Sequence, residues 1–164
     1  MIKVIAFDFG GVLYTWSYKK LIKDISKEIN INITKIAPKR KLIEKILERF
    51  ERGEITKNEF WSECANLIDF SCDSNKLNKL HDLAINNFKP IKENLELVKI
   101  LKKNFKIGLL SNQVDWIDDL EKKYNFKKLF DIIIISKEIG YRKPERQIFK
   151  IFDDVLPTLK CGVS

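Results

Sequence analysis

The chain has 164 residues, of which 31 are basic and 23 acidic, so its formal net charge at neutral pH is +8. Hydrophobic residues make up 45% and charged residues 33%, a composition that excludes disordered and fibrous classes. No stretch approaches the roughly 20 apolar residues that span a bilayer. The apolar N-terminal run is short and is broken by Asp8, so it does not resemble a signal peptide. We therefore expect a cytoplasmic protein with no membrane partner.

The positive charge has two interpretations. A sequence pI near 9.3 fits a nucleic-acid-binding protein. The lysines, however, are spread along the chain and have acids nearby, as in KLIEKILERFERGE. We therefore favour a solvated basic surface and expect no nucleic-acid partner, because clustering on one face would be needed for one. Three cysteines (Cys64, Cys72, Cys161) are too few and too scattered for a disulfide framework or a zinc site.

The first 90 residues predict one strand followed by helices. Residues 2–9, IKVIAFDF, are apolar and β-branched, which predicts a strand buried on both faces, as in a parallel sheet. Between about 18 and 88, four runs have apolar residues at helical spacing. Thr56 with Glu59 three residues later forms a capping-box pattern at the start of the third run. We interpret this region as a four-helix insert.

After Pro90, helices and strands alternate. A helix with Leu95, Val98 and Leu101 inward leads to a strand ending at Ser111, and a helix at about 116–124 leads to the strand FDIIIIS. A last helix beyond Pro144 has these residues inward: Ile148, Phe149, Ile151, Phe152 and Val155. The fold class is therefore α/β, with a Rossmann-like parallel sheet. We predict a discontinuous core (1–16 and 90–164) and a helical domain (17–89). With only three convincing strands, the first is expected at an unprotected edge.

Polar side chains follow all three predicted strands. Asp8 ends the first, Ser111 and Asn112 end the second, and Lys143 follows the third. Ligands bind beyond the carboxyl ends of strands in such sheets. A carboxylate, a hydroxyl and an ammonium there suit a phosphoryl group, since one can attack phosphorus while the others bind its oxygens. Backbone N–H groups of the Gly10–Gly11 turn could also approach phosphate.

Three segments carry a family resemblance. FDFGGVL, LLSNQ and SKEIGYRKP resemble, in order, motifs I, II and III of the haloacid dehalogenase (HAD) superfamily of phosphohydrolases. The insert resembles that family's C1-type cap. RGEITKNEFW resembles a cap segment of YihX-like sugar-phosphate phosphatases and epoxide-hydrolase N-terminal domains. The resemblance implies a Mg²⁺-dependent phosphohydrolase acting on small phosphorylated substrates, such as sugar phosphates, with an uncertain oligomeric state.

The resemblance also implies roles for particular residues. Asp8 would be the nucleophile, which forms an aspartyl-phosphate, and a magnesium ligand, with the Gly10 carbonyl as a second ligand. Lys143 would offset the charge on Asp8 and phosphate. The phosphate-binding residues would be Ser111, Asn112 and Gly11. The residues near the cap–core cleft would be Tyr14 and Trp16, for which packing and a substrate-pocket role are equally weighted.

Two departures from the family pattern matter. The family's acid–base aspartate, two positions after the nucleophile, is Gly10 here, and a positioned general acid is worth about 100- to 10,000-fold. Motif IV, which completes the magnesium site, is also missing. IFDDV imitates it, but Asp153 and Asp154 fall on the outer face of the last helix, too close to Lys143 for an intervening crossover. We expect the sequence to end before the final strands and its phosphatase activity to be weak or absent.

Other interpretations stay open. The chain could be an inactive relative that binds a phosphorylated ligand or a partner protein, or, as the weakest alternative, a nucleic-acid-binding module. A true haloacid dehalogenase is less expected because of the Gly-Gly after Asp8. The single histidine, His81, is interpreted as a surface residue of the helical insert.

Overall fold

The computed structural model describes residues 4–71 and 73–156, and within them it has two sheets and nine α-helices. The strands are β1 (Val4–Phe7), β2 (Tyr14–Thr15), β3 (Lys89–Pro90), β4 (Lys106–Ser111) and β5 (Ile132–Ile135). The helices are α1 (Tyr18–Glu28), α2 (Ile33–Ile36), α3 (Arg40–Glu51), α4 (Lys57–Leu67), α5 (Ser74–Asn87), α6 (Lys92–Leu101), α7 (Trp116–Tyr124), α8 (Ser136–Ile139) and α9 (Arg146–Val155). The predicted α/β fold class is confirmed.

The main sheet is parallel and has β4 at its centre. Its order is β1-β4-β5, with Phe7 opposite Leu109 and Ser111 opposite Ile135. Because β4 pairs with a strand on each side, neither of its edges is open, and all of its residues after Lys106 are buried. The register brings the carboxyl ends of the three strands to one edge of the sheet, where the polar residues follow.

The first strand is less buried than predicted. Its residues are half-buried and Ala6 is exposed, so the expectation of burial on both faces is wrong for β1. The reason is its position, since within the described residues β1 pairs only with β4. The apolar composition of the strand does not distinguish an edge position from a central one.

The region between β1 and β4 holds a helical insert made of α1–α5. The four predicted apolar runs form α1, α3, α4 and α5, and the short helix α2 was not predicted. Ser17 caps α1, Asp73 caps α5, and the capping box of Thr56 and Glu59 starts α4 as its spacing predicts. Because each cap satisfies an orphan N–H, the polar sequence between the apolar runs determines where these helices begin.

A two-stranded antiparallel ribbon joins the insert to the sheet layer. Tyr14 pairs with Pro90 and Thr15 with Lys89, so the outgoing and returning chains lie side by side. Asn94 donates to the carbonyl of Val12 at 2.6 Å and supports the ribbon from α6. The ribbon lies where the sequence predicts the boundaries of the helical domain, and the division into domains stays a prediction.

The last helix packs on the sheet through a narrower face than predicted. Ile148 and Phe152 of α9 are buried, whereas Phe149 is 43% exposed and is not inward as expected. Phe149 lies one residue, about 100° of rotation, from Ile148, which turns it away from the stripe that meets the sheet. The ring of Phe152 lies where a side chain on Gly108 would be, since a Cβ there would approach it to 2.6 Å.

In the part of the chain that the structure describes, no helix is long and apolar enough to cross a membrane.

Substitutions at two glycines with similar φ angles can test how closely the insert packs against the sheet layer. Gly53, after α3, has φ +71°, and a Cβ there would lie 2.8 Å from the carbonyl oxygen of Lys137; Gly140 has φ +76° and open space. We expect Gly140→Ala to cost about 1–2 kcal/mol of unfolding free energy from left-handed strain alone. Gly53→Ala should cost about 1–3 kcal/mol more, because the clash is added. Urea unfolding measures both, and equal losses would contradict the close docking at Gly53.

Candidate active site

The three predicted polar groups meet at the carboxyl edge of the sheet. Lys143 Nζ lies 2.7 Å from Asp8 Oδ1, and the Ser111 hydroxyl donates to the same oxygen at 3.3 Å. The side chain of Asp8 is 42% exposed and that of Lys143 is 22% exposed, so the pair lies at the surface of a cleft. Residues distant in sequence thus form one cluster with a carboxylate, a hydroxyl and an ammonium.

The carboxylate of Asp8 has one occupied and one open oxygen. The backbone N–H of Phe9 donates to Oδ1 at 2.7 Å, in addition to Ser111 and Lys143. Among the described residues, none donates to Oδ2. Three donors therefore fix the orientation of the carboxylate and leave its second oxygen available to an electrophile or a cation.

The amide of Asn112 holds Lys143 in place. Its Nδ2 donates to the Lys143 carbonyl at 3.0 Å, and its Oδ1 accepts from the Lys143 N–H at 2.7 Å. Lys143 Nζ also donates to the carbonyl of Leu110 at 2.9 Å. An ammonium has three donors, so one N–H of Lys143 remains for a ligand. The side chain of Asn112 thus positions the backbone of Lys143 through one of its two amide N–H groups and its carbonyl oxygen.

The glycine turn differs from the prediction at Gly11. Its N–H donates to the carbonyl of Tyr14 at 2.7 Å and is not available to phosphate, so the predicted phosphate contact through this N–H is wrong. Gly11 has φ +79°, a left-handed conformation that closes the turn, while Gly10 has open space where a side chain would be. The turn therefore serves to bring the chain back toward the ribbon.

Of the two predicted pocket residues, one lies in the pocket. Trp16 lines a cleft of about 260 Å³ together with Gly10, Gly11 and Asn112. Tyr14 is buried in the core instead, stacked on Phe9 at 4.4 Å between ring centroids, and does not line this cleft. Burial raises the pKa of Tyr14 to about 12. Tyr14 therefore packs in the core, whereas Trp16 lies in the wall of the cleft, and its contact with a substrate stays a prediction.

An ion-pair cluster joins α3 of the insert to the loop that carries Lys143. Arg142 Nε donates to Glu51 Oε2 at 2.8 Å, and Arg52 Nη2 donates to Glu145 Oε1 at 2.5 Å. Glu51 also lines the cleft that contains Trp16. Burial raises the pKa of its carboxyl, although the positive charge of Arg142 acts in the opposite direction. Sequence analysis missed this cluster because charged residues at a helix end are usually solvated, and only the pairing of Arg142 and Glu145 around Lys143 hinted at it.

Two further expectations concern charged residues away from the cleft. Asp153 and Asp154 are exposed on α9, as predicted from periodicity. His81 is buried, not on the surface, and its Nε2 lies 2.9 Å from Asp119 Oδ2, which links α5 to α7. The single sequence cannot supply that partner, because the two residues are 38 positions apart.

With this geometry, the comparison with protein families is direct. The model of haloacid dehalogenase-like hydrolases matches residues 2–152, and the chain belongs to this family of hydrolases. Residues 1–3 and 157–164, including Cys161, and also Cys72, lie outside the described residues.

Individual relatives agree with the fold. A HAD family enzyme from Bacteroides thetaiotaomicron superposes with a TM-score of 0.77 at 22% identity, over 93% of this chain and 77% of that enzyme. A HAD-like family hydrolase from Porphyromonas gingivalis superposes with a TM-score of 0.73 at 22% identity, over 94% of this chain and 76% of the other. The pyrimidine 5'-nucleotidase YjjG of Escherichia coli is 24% identical over 108 residues, 61% of this chain. The chain spans about half (46%) of the length of that curated relative.

The buried Glu51 predicts an unusual pH dependence. In the folded protein, the pKa of Glu51 lies above the ordinary pKa of a glutamate. Its contribution to stability is therefore full at pH values below the ordinary pKa and is lost as pH rises through the folded-state pKa. We expect the unfolding free energy of the wild type, relative to Glu51→Gln, to fall as pH rises above about 4.5. Chemical denaturation at a series of pH values between about 4 and 7 measures this difference.

Glu59→Gln is the matched control. The Thr56 N–H holds the pKa of Glu59 below its usual range, so this glutamate stabilises above the ordinary value and loses its contribution as pH falls. The wild type relative to Glu59→Gln should therefore show the opposite slope. The same slope for both variants would contradict the burial of Glu51 at the cleft.

Proposed function

We propose that this chain is a phosphohydrolase of small phosphate monoesters that works through an aspartyl-phosphate on Asp8. The observation that carries the proposal is the open Oδ2 of Asp8 beside a carboxylate oxygen already held by Phe9, Ser111 and Lys143. A carboxylate fixed in this way is oriented for attack on phosphorus, and orientation supplies much of the catalysis in phosphoryl transfer.

Each residue of the cluster has a different role in the proposed reaction. Asp8 Oδ2 attacks phosphorus while the bond to the leaving oxygen breaks, and water later attacks the aspartyl-phosphate to release inorganic phosphate and restore the carboxylate. Lys143 directs its remaining N–H at a phosphoryl oxygen, and the Ser111 hydroxyl turns its one O–H from Asp8 Oδ1 to another phosphoryl oxygen. Asn112 acts as a positioning residue because its amide holds the backbone of Lys143.

The charges in the cleft favour a divalent cation as cofactor. A bound phosphate monoester brings about two negative charges beside Asp8, and Lys143 supplies one positive charge. Within the described residues, no three metal-ligating side chains form a group. Magnesium, however, is often held by one or two carboxylates with waters and substrate phosphate. The carboxylate of Asp8 and the Gly10 carbonyl fit this requirement, and Mg²⁺ bound there would supply charge neutralisation and polarise the phosphoryl group.

The relatives support this choice of cofactor and ligand. The Bacteroides thetaiotaomicron enzyme was solved in complex with magnesium and inorganic phosphate. The resemblance of RGEITKNEFW to YihX-like phosphatases suggests sugar phosphates as substrates, whereas similarity to YjjG suggests nucleotides. We take the small phosphate monoester as the substrate class that these relatives share.

A second function is favoured by one observation. With Gly10 in place of an acid and no group of three ligating side chains in the described part of the chain, the cluster also suits a protein that binds phosphorylated ligands without turnover. The formation of a phosphoenzyme distinguishes the two functions, because binding alone leaves no covalent product.

The test is the hydrolysis of p-nitrophenyl phosphate with and without Mg²⁺. We expect slow turnover that depends on Mg²⁺ and is lost in Asp8→Asn, together with a hydroxylamine-sensitive phosphoenzyme in the wild type alone. Asp153→Asn, which changes an exposed acid of α9, is the matched control and should keep the wild-type rate. Turnover that survives in Asp8→Asn, or that falls equally in both variants, would reject Asp8 as the nucleophile.

A further inference from the structure

A second, larger cavity lies inside the helical insert. Its volume is about 340 Å³, and it is enclosed by α1, α3 and α4 with contributions from α5 and α7. All three tryptophans of the chain line it, namely Trp16, Trp61 and Trp116. None of the catalytic roles proposed above uses this space.

The walls of this cavity are apolar and aromatic. The aromatic rings of Tyr18 and Phe60 join the three tryptophans, and aliphatic side chains of α1 and α3 complete the lining. Its only charged groups, Arg40 and Glu44, are paired with each other at 2.7 Å, and the Arg40 guanidinium lies 5.2 Å from the centroid of the Tyr18 ring. Apart from this pair, the side-chain nitrogen and oxygen groups of the described lining are the Tyr18 hydroxyl and the indole N–H groups, of which those of Trp61 and Trp116 are buried without a partner in the described residues. These few groups cannot replace the hydration of a polyhydroxylated ligand, whereas flat aromatic rings pack well against other rings.

The size of the cavity suits a substituted ring. An apolar cavity of about 150 Å³ accommodates benzene, and this one has more than twice that volume. It therefore has room for a ring that carries a short alkyl chain.

The cavity adjoins the proposed catalytic cleft. Trp16, Leu47 and Trp116 line both spaces. The cleft also has Gly10, Gly11 and Asn112 in its wall, next to the Asp8 cluster. A phosphoryl group at Asp8 would therefore have its ester substituent beside the wall that the cleft shares with the insert cavity.

The chemistry at Gly10 leads to the same class of ligand. No side chain stands at this position to protonate a leaving group. Phenols have a pKa near 10, as the tyrosine side chain does, far below that of an ordinary alcohol. A phenolate can leave without a positioned acid, whereas an alkoxide suffers the full loss of general acid catalysis.

We propose that the preferred ligands are aryl phosphates, phosphate monoesters of apolar phenols, with the ring in the tryptophan-lined cavity. This proposal rests on the proposed function and specifies its substrate class. In the reaction, the bond from Asp8 Oδ2 to phosphorus forms as the bond from phosphorus to the aryl oxygen breaks. The electron pair leaves on the aryl oxygen, and the phenolate takes its proton from water.

Binding to the wild-type protein tests this without requiring turnover. Tryptophan fluorescence, excited near 295 nm, reports on the cavity because every tryptophan of the chain lines it. The ligands are inorganic phosphate, phenyl phosphate and its 4-methyl, 4-ethyl and 4-propyl derivatives, with glucose 1-phosphate and uridine 5'-monophosphate for comparison. We expect each added carbon to tighten binding by up to about fourfold, and the two polar esters to bind no more tightly than inorganic phosphate.

A cavity-filling variant adds a structural test. Ala65 is a buried residue of α4 that lines the cavity. Ala65→Leu should therefore lower the affinity for 4-propylphenyl phosphate by at least about tenfold and leave the affinity for inorganic phosphate unchanged. Ala37→Leu adds the same volume at an exposed position outside the lining and should change neither. Circular dichroism checks that both variants are folded.

The outcomes separate this inference from the proposed function. If inorganic phosphate binds but added methylene groups have no effect, or if glucose 1-phosphate binds more tightly than phenyl phosphate, the aryl preference is wrong and the phosphohydrolase proposal stands. If 4-propylphenol binds but neither inorganic phosphate nor its esters do, the proposed function fails and the inference fails with it.

Discussion

The contact between the ammonium of Lys143 and the carboxylate of Asp8 is the interaction on which the site depends. It joins the end of the edge strand β1 to the loop beyond β5 across the central strand β4, which contributes Ser111 to the same oxygen. Parallel pairing makes this possible, because it places three carboxyl ends at one edge of the sheet. The amide of Asn112 then fixes the lysine backbone, so the position of the charge is determined by the fold rather than by a flexible side chain alone.

The helical insert completes the cleft that the sheet begins. The ion pair of Arg142 with Glu51 ties the insert to the residue next to Lys143, and Gly53 allows the end of α3 to approach the backbone at Lys137. The position of the insert and the position of Lys143 are therefore coupled through adjacent residues of one loop. The same insert contributes an apolar, aromatic space near the cluster of Asp8, Ser111 and Lys143, so a charged and an apolar environment lie side by side.

Much of this arrangement could be predicted from the sequence, and the failures have physical causes. Helix starts such as Thr56 with Glu59 are local signals, and the polar residues at strand ends follow from the rules of parallel sheets. Burial of His81, and the engagement of the Gly11 N–H by Tyr14, depend on contacts between elements that no local pattern encodes. Glu51 was missed for the same reason, since its role depends on an arginine 91 positions away.

The most direct test of this account is calorimetric titration of inorganic phosphate, with Mg²⁺ present, into the wild type and Lys143→Met. The account predicts that the variant binds phosphate at least about tenfold more weakly, because it loses the one ammonium that faces Asp8, and that Lys150→Met, at an exposed position of α9, binds as the wild type does. Equal affinity in the wild type and Lys143→Met would contradict it, since phosphate would then bind elsewhere.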